Sequence, residues 1–144
     1  MENYDLFVSH CSKDKLKYVD GLVTEIKKAG IKVFYDSESI SWGDDIKATI
    51  DKALDSCTLA LVVISKSFFD RTWTEYELSK LLSKQNELKE KLILPLLYKI
   101  TKQQLIEKYP DLKNIKFIHA KAVSKKKIAE KLKIELDKKN AQKM

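Results

Sequence analysis

Short apolar runs alternate with longer amphipathic ones along the whole chain. Tyr4–Ser9, Ile31–Tyr35, Thr58–Ile64, Leu92–Leu97 and Ile115–Ile118 are short and rich in β-branched and aromatic residues, which predicts five strands. After the first of them, Leu16, Val19, Leu22, Val23 and Ile26 recur at helical spacing and stop at Gly30, a residue suited to the left-handed position past a helix end. Asp44–Leu54, Thr72–Leu88 and Ser124–Leu136 each carry one apolar face and predict further helices, with a shorter one over Lys102–Lys108. Strands alternating with helices imply right-handed crossovers and a five-stranded parallel sheet with helices on both faces, consistent with strand runs that are almost continuously apolar. The predicted fold class is α/β.

In an open sheet of this kind, ligands bind beyond the carboxyl ends of the strands, where the strand order reverses, commonly between the first and third strands. That rule selects Ser9–Asp14 after the first strand, Asp36–Asp45 after the second and Ser65–Trp73 after the third. Three scattered glycines, Gly21, Gly30 and Gly43, cannot compose a dinucleotide-binding or Walker loop, both of which need glycines clustered against a phosphate. A phosphoryl-accepting domain with the same strand alternation needs an Asp at the third-strand exit, where Ser65, Lys66 and Ser67 stand instead.

Composition narrows the choice further. At 144 residues, 44% hydrophobic and 34% charged, with 3 Gly and 2 Pro, the chain fits one folded domain and no Gly/Pro-rich architecture. No apolar run is long enough to span a bilayer, and Met1–Asp5 lacks the order of a signal peptide, so a cytoplasmic address and no membrane partner are expected. Cys11 and Cys57 are too few for a disulfide scaffold, and His10 and His119 have no second ligand at helical spacing, so neither a metal nor a resident cofactor is expected. Residues 1–72 hold 10 basic and 12 acidic side chains and residues 73–144 hold 18 and 9, so the net charge of +7 is carboxy-terminal. Arg71 is the only Arg, which disfavours sequence-specific nucleic-acid reading and leaves a solvated Lys-rich surface as the plain interpretation.

The stretch Asp70–Leu78 is the most informative. Thr72 and Glu75 have the spacing of a capping box that starts a helix, which gives Glu75 a structural task. Glu77 lies beyond the first turn and four residues after Trp73, on one helix face with the indole and near the third-strand exit. Spacing alone leaves two readings open: a solvent-facing acid on an amphipathic helix, or a functional carboxylate beside an aromatic ring.

Three segments occur together in order: Tyr4–Asp14; Val33–Asp36 continuing through Glu38, Ile40 and Gly43–Ile46; and Val63–Phe69 leading to Trp73, Glu77 and Leu78. They resemble a Toll/interleukin receptor (TIR) domain of the prokaryotic NADase type over about residues 3–137. The resemblance implies a flavodoxin-like sheet, a TIR domain over residues 1–138 and a Lys-rich tail over 139–144 that could open a linker to a sensor domain past Met144. It also implies either NAD+ cleavage in an assembly-activated effector of bacterial antiviral defence, or a non-catalytic adaptor working by homotypic contacts with other TIR domains. In the catalytic branch the resemblance makes Glu77 the catalytic acid, with Ser9, His10, Ser12, Phe34, Tyr35, Asp36 and Trp73 lining the substrate pocket. The loop Ser37–Asp45, with Ile40, Trp42, Gly43 and Asp44, is similar to the family's domain-contact loop; Trp42 is a large apolar side chain in a polar stretch, fitting an interface anchor or simple packing.

NAD+ as substrate is chemically consistent with a single acid. Glycosidases usually need two carboxylates, one of them to protonate a leaving oxygen. Nicotinamide leaves from a cationic pyridinium and becomes neutral, so one carboxylate beside the anomeric carbon suffices. A nucleoside deoxyribosyltransferase-like enzyme, with a similar sheet and a catalytic Glu, stands as a third reading.

Overall fold

The structure of the protein, a computed structural model, describes the backbone of residues 3–35, 39–70 and 72–142, and the side chains of all of these but 69–70 and 72–75. The elements run β1 (Leu6–Ser9), α1 (Asp20–Lys28), β2 (Val33–Phe34), α2 (Ile46–Ser56), β3 (Leu59–Ile64), α3 (Thr72–Leu88), β4 (Ile93–Leu97), α4 (Lys102–Lys108), β5 (Ile118–His119) and α5 (Lys125–Gln142). All strand pairings are parallel and the order is β2-β1-β3-β4-β5, the flavodoxin-like α/β arrangement. The order reverses at β1, whose neighbours are β2 and β3, so the mouth lies at the carboxyl ends of β1 and β3.

Because strand side chains alternate between faces, each strand divides its residues between two cores. Leu6 and Val8 of β1, with Leu59, Leu61 and Val63 of β3, pack against Leu22 and Ile26 of α1 and Ile128 and Leu132 of α5. Phe7, Ala60, Val62 and Ile64 pack on the opposite face against Ile50 and Leu54 of α2 and Leu78 and Leu81 of α3. All six residues of β3 are buried, which explains why its sequence is apolar without alternation.

Several predicted boundaries move for local reasons. The first predicted helix begins as a 3-10 turn (Ser12–Asp14) and a π-helical turn (Lys15–Val19), and regular α-helix starts only at Asp20. The wider turn breaks the 3.6-residue register, so Leu16, predicted on the apolar face, is 86% exposed. Gly30 does end this helix in the left-handed region, at φ +83°. Helix α2 starts two residues later than predicted, because the Asp45 carboxylate accepts from the Ala48 N–H at 2.9 Å and caps it. The last strand is Ile118–His119 and not Ile115–Ile118, since the Ile115 N–H is taken by the Leu112 carbonyl at 3.1 Å in the turn that follows a 3-10 segment. Thr101 and Gln104 form a capping box at the start of α4 that the apolar pattern does not reveal. The capping box predicted for Thr72 and Glu75 rests on side chains outside the described residues. Among the described residues no helix is long and apolar enough to cross a membrane.

Candidate active site

Face alternation decides what meets at the end of β1. Ser9 shares a face with Phe7 and therefore points toward α3, where Glu77 sits one turn into the helix. The Ser9 hydroxyl donates to Glu77 Oε1 at 2.7 Å, and the two residues are 1% and 4% exposed. A carboxyl group so deeply covered costs free energy unless it is hydrogen-bonded, and the Ser9 hydroxyl supplies one such bond. The first of the two readings of Glu77, a solvent-facing acid on an amphipathic helix, is thereby replaced by a buried acid beneath the mouth.

His10, the next residue, shares the other face with Val8. Its ring lies 4.9 Å from that of Tyr35, which follows β2 directly. The Tyr35 hydroxyl donates to Asp20 Oδ1 at 2.5 Å, and Lys15 reaches the same carboxylate at 3.0 Å while lying 5.3 Å from the Tyr35 ring centre. The Tyr35 hydrogen bond, then that from Lys15, holds the Asp20 carboxyl below the ordinary range for an aspartate. The π-helical turn is what brings Lys15 and Asp20 round to Tyr35, in keeping with the frequent occurrence of such turns at functional sites.

A second buried pair fixes the loop above the mouth. The Ser65 hydroxyl donates to Asp14 Oδ2 at 2.5 Å, joining the exit of β3 to the turn after β1, and Ser65 Oγ accepts from the Phe68 N–H at 3.3 Å. Asp14 and Ser65 are 8% and 4% exposed. Sequence reasoning did not assign Lys15, Asp20, Asp14 or Ser65 a role. The available signal was that three of them lie within or just after the very segments that the strand-order rule selects.

The structure brings Ser9, His10, Tyr35 and Glu77 to one end of β1 but separates the others. Phe34 is a core residue, 1% exposed, stacked on Phe7 at 5.0 Å and met edge-on by Tyr4, so packing accounts for its ring in this structure. Its position on β2 places it on the same face as Phe7, which the spacing alone left undecided. Ser12 is exposed at the start of the 3-10 turn. Asp36 lies outside the described residues, as does the side chain of Trp73. In the loop before α2, Ile40 packs against the α2–α3 core, while the Ser41 N–H donates to Asp44 Oδ2 at 2.8 Å and the Asp44 N–H to the Ser41 carbonyl at 3.0 Å. Trp42 and Gly43 form the corner of this tight turn, Gly43 at φ +93°, where a residue without Cβ is favoured. Trp42 is fully exposed, which removes the packing explanation for it. Among the described residues no cluster of three or more His, Cys, Asp or Glu could hold a metal ion.

A family model described as TIR domain matches residues 6–134. The chain is 34% identical over 129 residues, 90% of its length, to the 2' cyclic ADP-D-ribose synthase AbTIR of Acinetobacter baumannii. It is 34% identical over 107 residues, 74% of its length, to the NAD(+) hydrolase TcpC of Escherichia coli. It spans only 48% and 34% of those two relatives. Among solved structures, the TIR domains of the activated Roq1 resistosome superpose with a TM-score of 0.74 at 20% identity, over 93% of this chain and 99% of that one, a likeness of fold.

Proposed function

The chain belongs to the TIR-domain family, and on that premise we propose that it cleaves the N-glycosidic bond of NAD+ with Glu77 as the catalytic carboxylate. The observation that carries this reading is the buried Glu77 side chain fixed by the Ser9 hydroxyl at the sheet's ligand-binding end. Two relatives named for NAD+ hydrolysis and cyclic ADP-ribose synthesis support the substrate.

The chemistry follows from the leaving group. The bond between the anomeric carbon and the pyridinium nitrogen breaks, its electron pair goes to nitrogen, and nicotinamide departs neutral without a general acid. Positive charge develops on the ribose, and a fixed carboxylate in a water-poor setting stabilises it far more than one in bulk solvent. Water then adds to the anomeric carbon and a proton is released, giving ADP-ribose; attack by a hydroxyl of the same molecule gives a cyclic product instead. Ser9 acts as a positioning residue, holding Oε1 so that little reorganisation is needed as charge develops. His10, just after β1, and Tyr35, just after β2, pack together on the other side of the sheet from Glu77; they are 6% and 1% exposed, so their contact with the rest of the dinucleotide, as proposed here, needs the mouth to open.

Glu77 is 4% exposed, so substrate entry requires the surrounding segments to part. A second TIR domain contacting the Trp42 corner is a suitable trigger, because a fully exposed indole at a turn is an interface anchor in search of a partner. The test is chromatographic: nicotinamide released from NAD+ should rise more steeply than protein concentration, and the ribose-containing product divides between linear and cyclic forms on the same trace. Concentration-dependent association with no nicotinamide under any condition would favour an adaptor instead.

A further inference from the structure

A cavity of about 620 Å³ lies far from Glu77, beside the first half of β4. It exists because β5 is short: β4 pairs with β5 only at Leu96 and Leu97, which leaves Ile93–Pro95 without a strand on that side. The apolar wall comes from Leu61 on β3, Leu94 and Leu96 on β4, Ile118 on β5, and Ile128 and Leu132 on α5. Both its size and its apolar lining match those of small-molecule sites.

The open edge is poorly suited to an added strand. Alternate residues of a parallel strand bond to opposite neighbours, and the Leu97 carbonyl accepts from the Ala120 N–H on the β5 side, so Ile93 and Pro95 face that side too. The Ile93 N–H is already bonded to Gln85 Oε1 at 3.0 Å, as is that of Leu92, and Pro95 has no N–H. An incoming peptide strand would find carbonyl acceptors but no free donor there, which favours an occupant that needs apolar contact without backbone pairing.

The rim sets its charge. Lys89, Lys116 and Lys131 border the cavity and, among the described residues, their side-chain ammonium groups make no hydrogen bond or ion pair. Two rim residues are acidic: Glu135, matched by Lys91 and Lys138, and Glu90; against four rim lysines they leave the rim net basic. Three uncommitted ammonium groups around an apolar trough complement a molecule with an apolar tail and an anionic head. We propose that this cavity binds a medium-chain acyl carboxylate, its chain lying along Leu94, Leu96, Ile118 and Leu132 and its head between Lys116 and Lys131.

The test is calorimetric titration of the protein with sodium decanoate below its micellar range, with acetate and decanol as comparators. Decanoate should bind saturably with a negative heat-capacity change, acetate should give no heat, and decanol should bind about tenfold more weakly than decanoate. The double variant Lys116→Glu/Lys131→Glu changes exposed side chains only and should weaken decanoate at least about tenfold while leaving decanol unaffected. Absence of saturable heat, or equal decanoate affinity in that variant, would overturn the proposal. So would a dimer in sedimentation that the same double variant dissociates without any decanoate heat, which would make the cavity the seat of a second copy.

Discussion

Ser9 and Glu77, 68 residues apart in sequence, meet through a buried 2.7 Å hydrogen bond at the carboxyl end of β1. This contact joins β1 to the helix after β3 and helps to orient the Glu77 carboxyl group beneath the mouth. Ser9→Ala removes the donor but leaves the acid. It should lower kcat for nicotinamide release by about tenfold to a hundredfold, the equivalent of about 1–3 kcal/mol for a lost hydrogen bond to a buried charged group, with a smaller change in KM. Ser9→Thr, which keeps the hydroxyl, should recover part of that loss.

Phe34 separates packing from binding. Its ring is enclosed by Phe7 and Tyr4, so Phe34→Ala should lower unfolding free energy by about 3–5 kcal/mol, measured by urea denaturation. A Phe34→Leu variant, which keeps most of the volume, should fold and show an unchanged KM for NAD+. A raised KM in that well-folded variant would return Phe34 to the pocket.

Asp51 links α2 to the helix that carries Glu77. It accepts from the Tyr76 hydroxyl at 2.7 Å and pairs with Lys80 at 3.0 Å and Lys47 at 3.1 Å. The Tyr76 hydrogen bond, followed by that from Lys80, brings its pKa down to about 2. A carboxyl group depressed in the folded state adds stability that is full above its unfolded value of about 4 and is lost as pH falls toward the folded value. The melting-temperature gap between wild type and Asp51→Asn should therefore be widest above pH 4 and close as pH approaches 2. A gap that stays constant over that range would show that the carboxylate has no such linkage.

Trp42 stands clear of the protein at the corner of its turn. Trp42→Glu should leave the melting temperature within the small range usual for surface changes, about 0.5 kcal/mol in unfolding free energy, while weakening self-association in sedimentation velocity. Unchanged association would move the contact surface elsewhere.

Most of the fold was legible because β3 and the helices carry strong, long patterns: the limits of α3 and α4 coincide with the predicted ones. The sheet edges were not, because β2 and β5 are two residues each and owe their existence to pairing rather than to their own composition. The π-helical turn over Lys15–Val19 was invisible for a related reason: its residues satisfy ordinary helical spacing, and only the tertiary contacts of Asp20 with Tyr35 and Lys15 reveal the change of register. In the site, Glu77 could be singled out by its position after the predicted helix start, and Ser9 by its place at a strand end. That they bond to each other depends on which face of β1 turns toward α3, and spacing along the chain does not contain that information. Asp14 and Ser65 were hidden in the same way.

The central claim is tested most directly by Glu77→Gln, which keeps the size of the side chain and an acceptor for the Ser9 hydroxyl while removing the charge. With NAD+ in excess and protein at high concentration, chromatography should show nicotinamide accumulating with wild type and none above background with the variant, at matched melting temperatures. Nicotinamide release by a folded Glu77→Gln protein at the wild-type rate would contradict the catalytic role of Glu77.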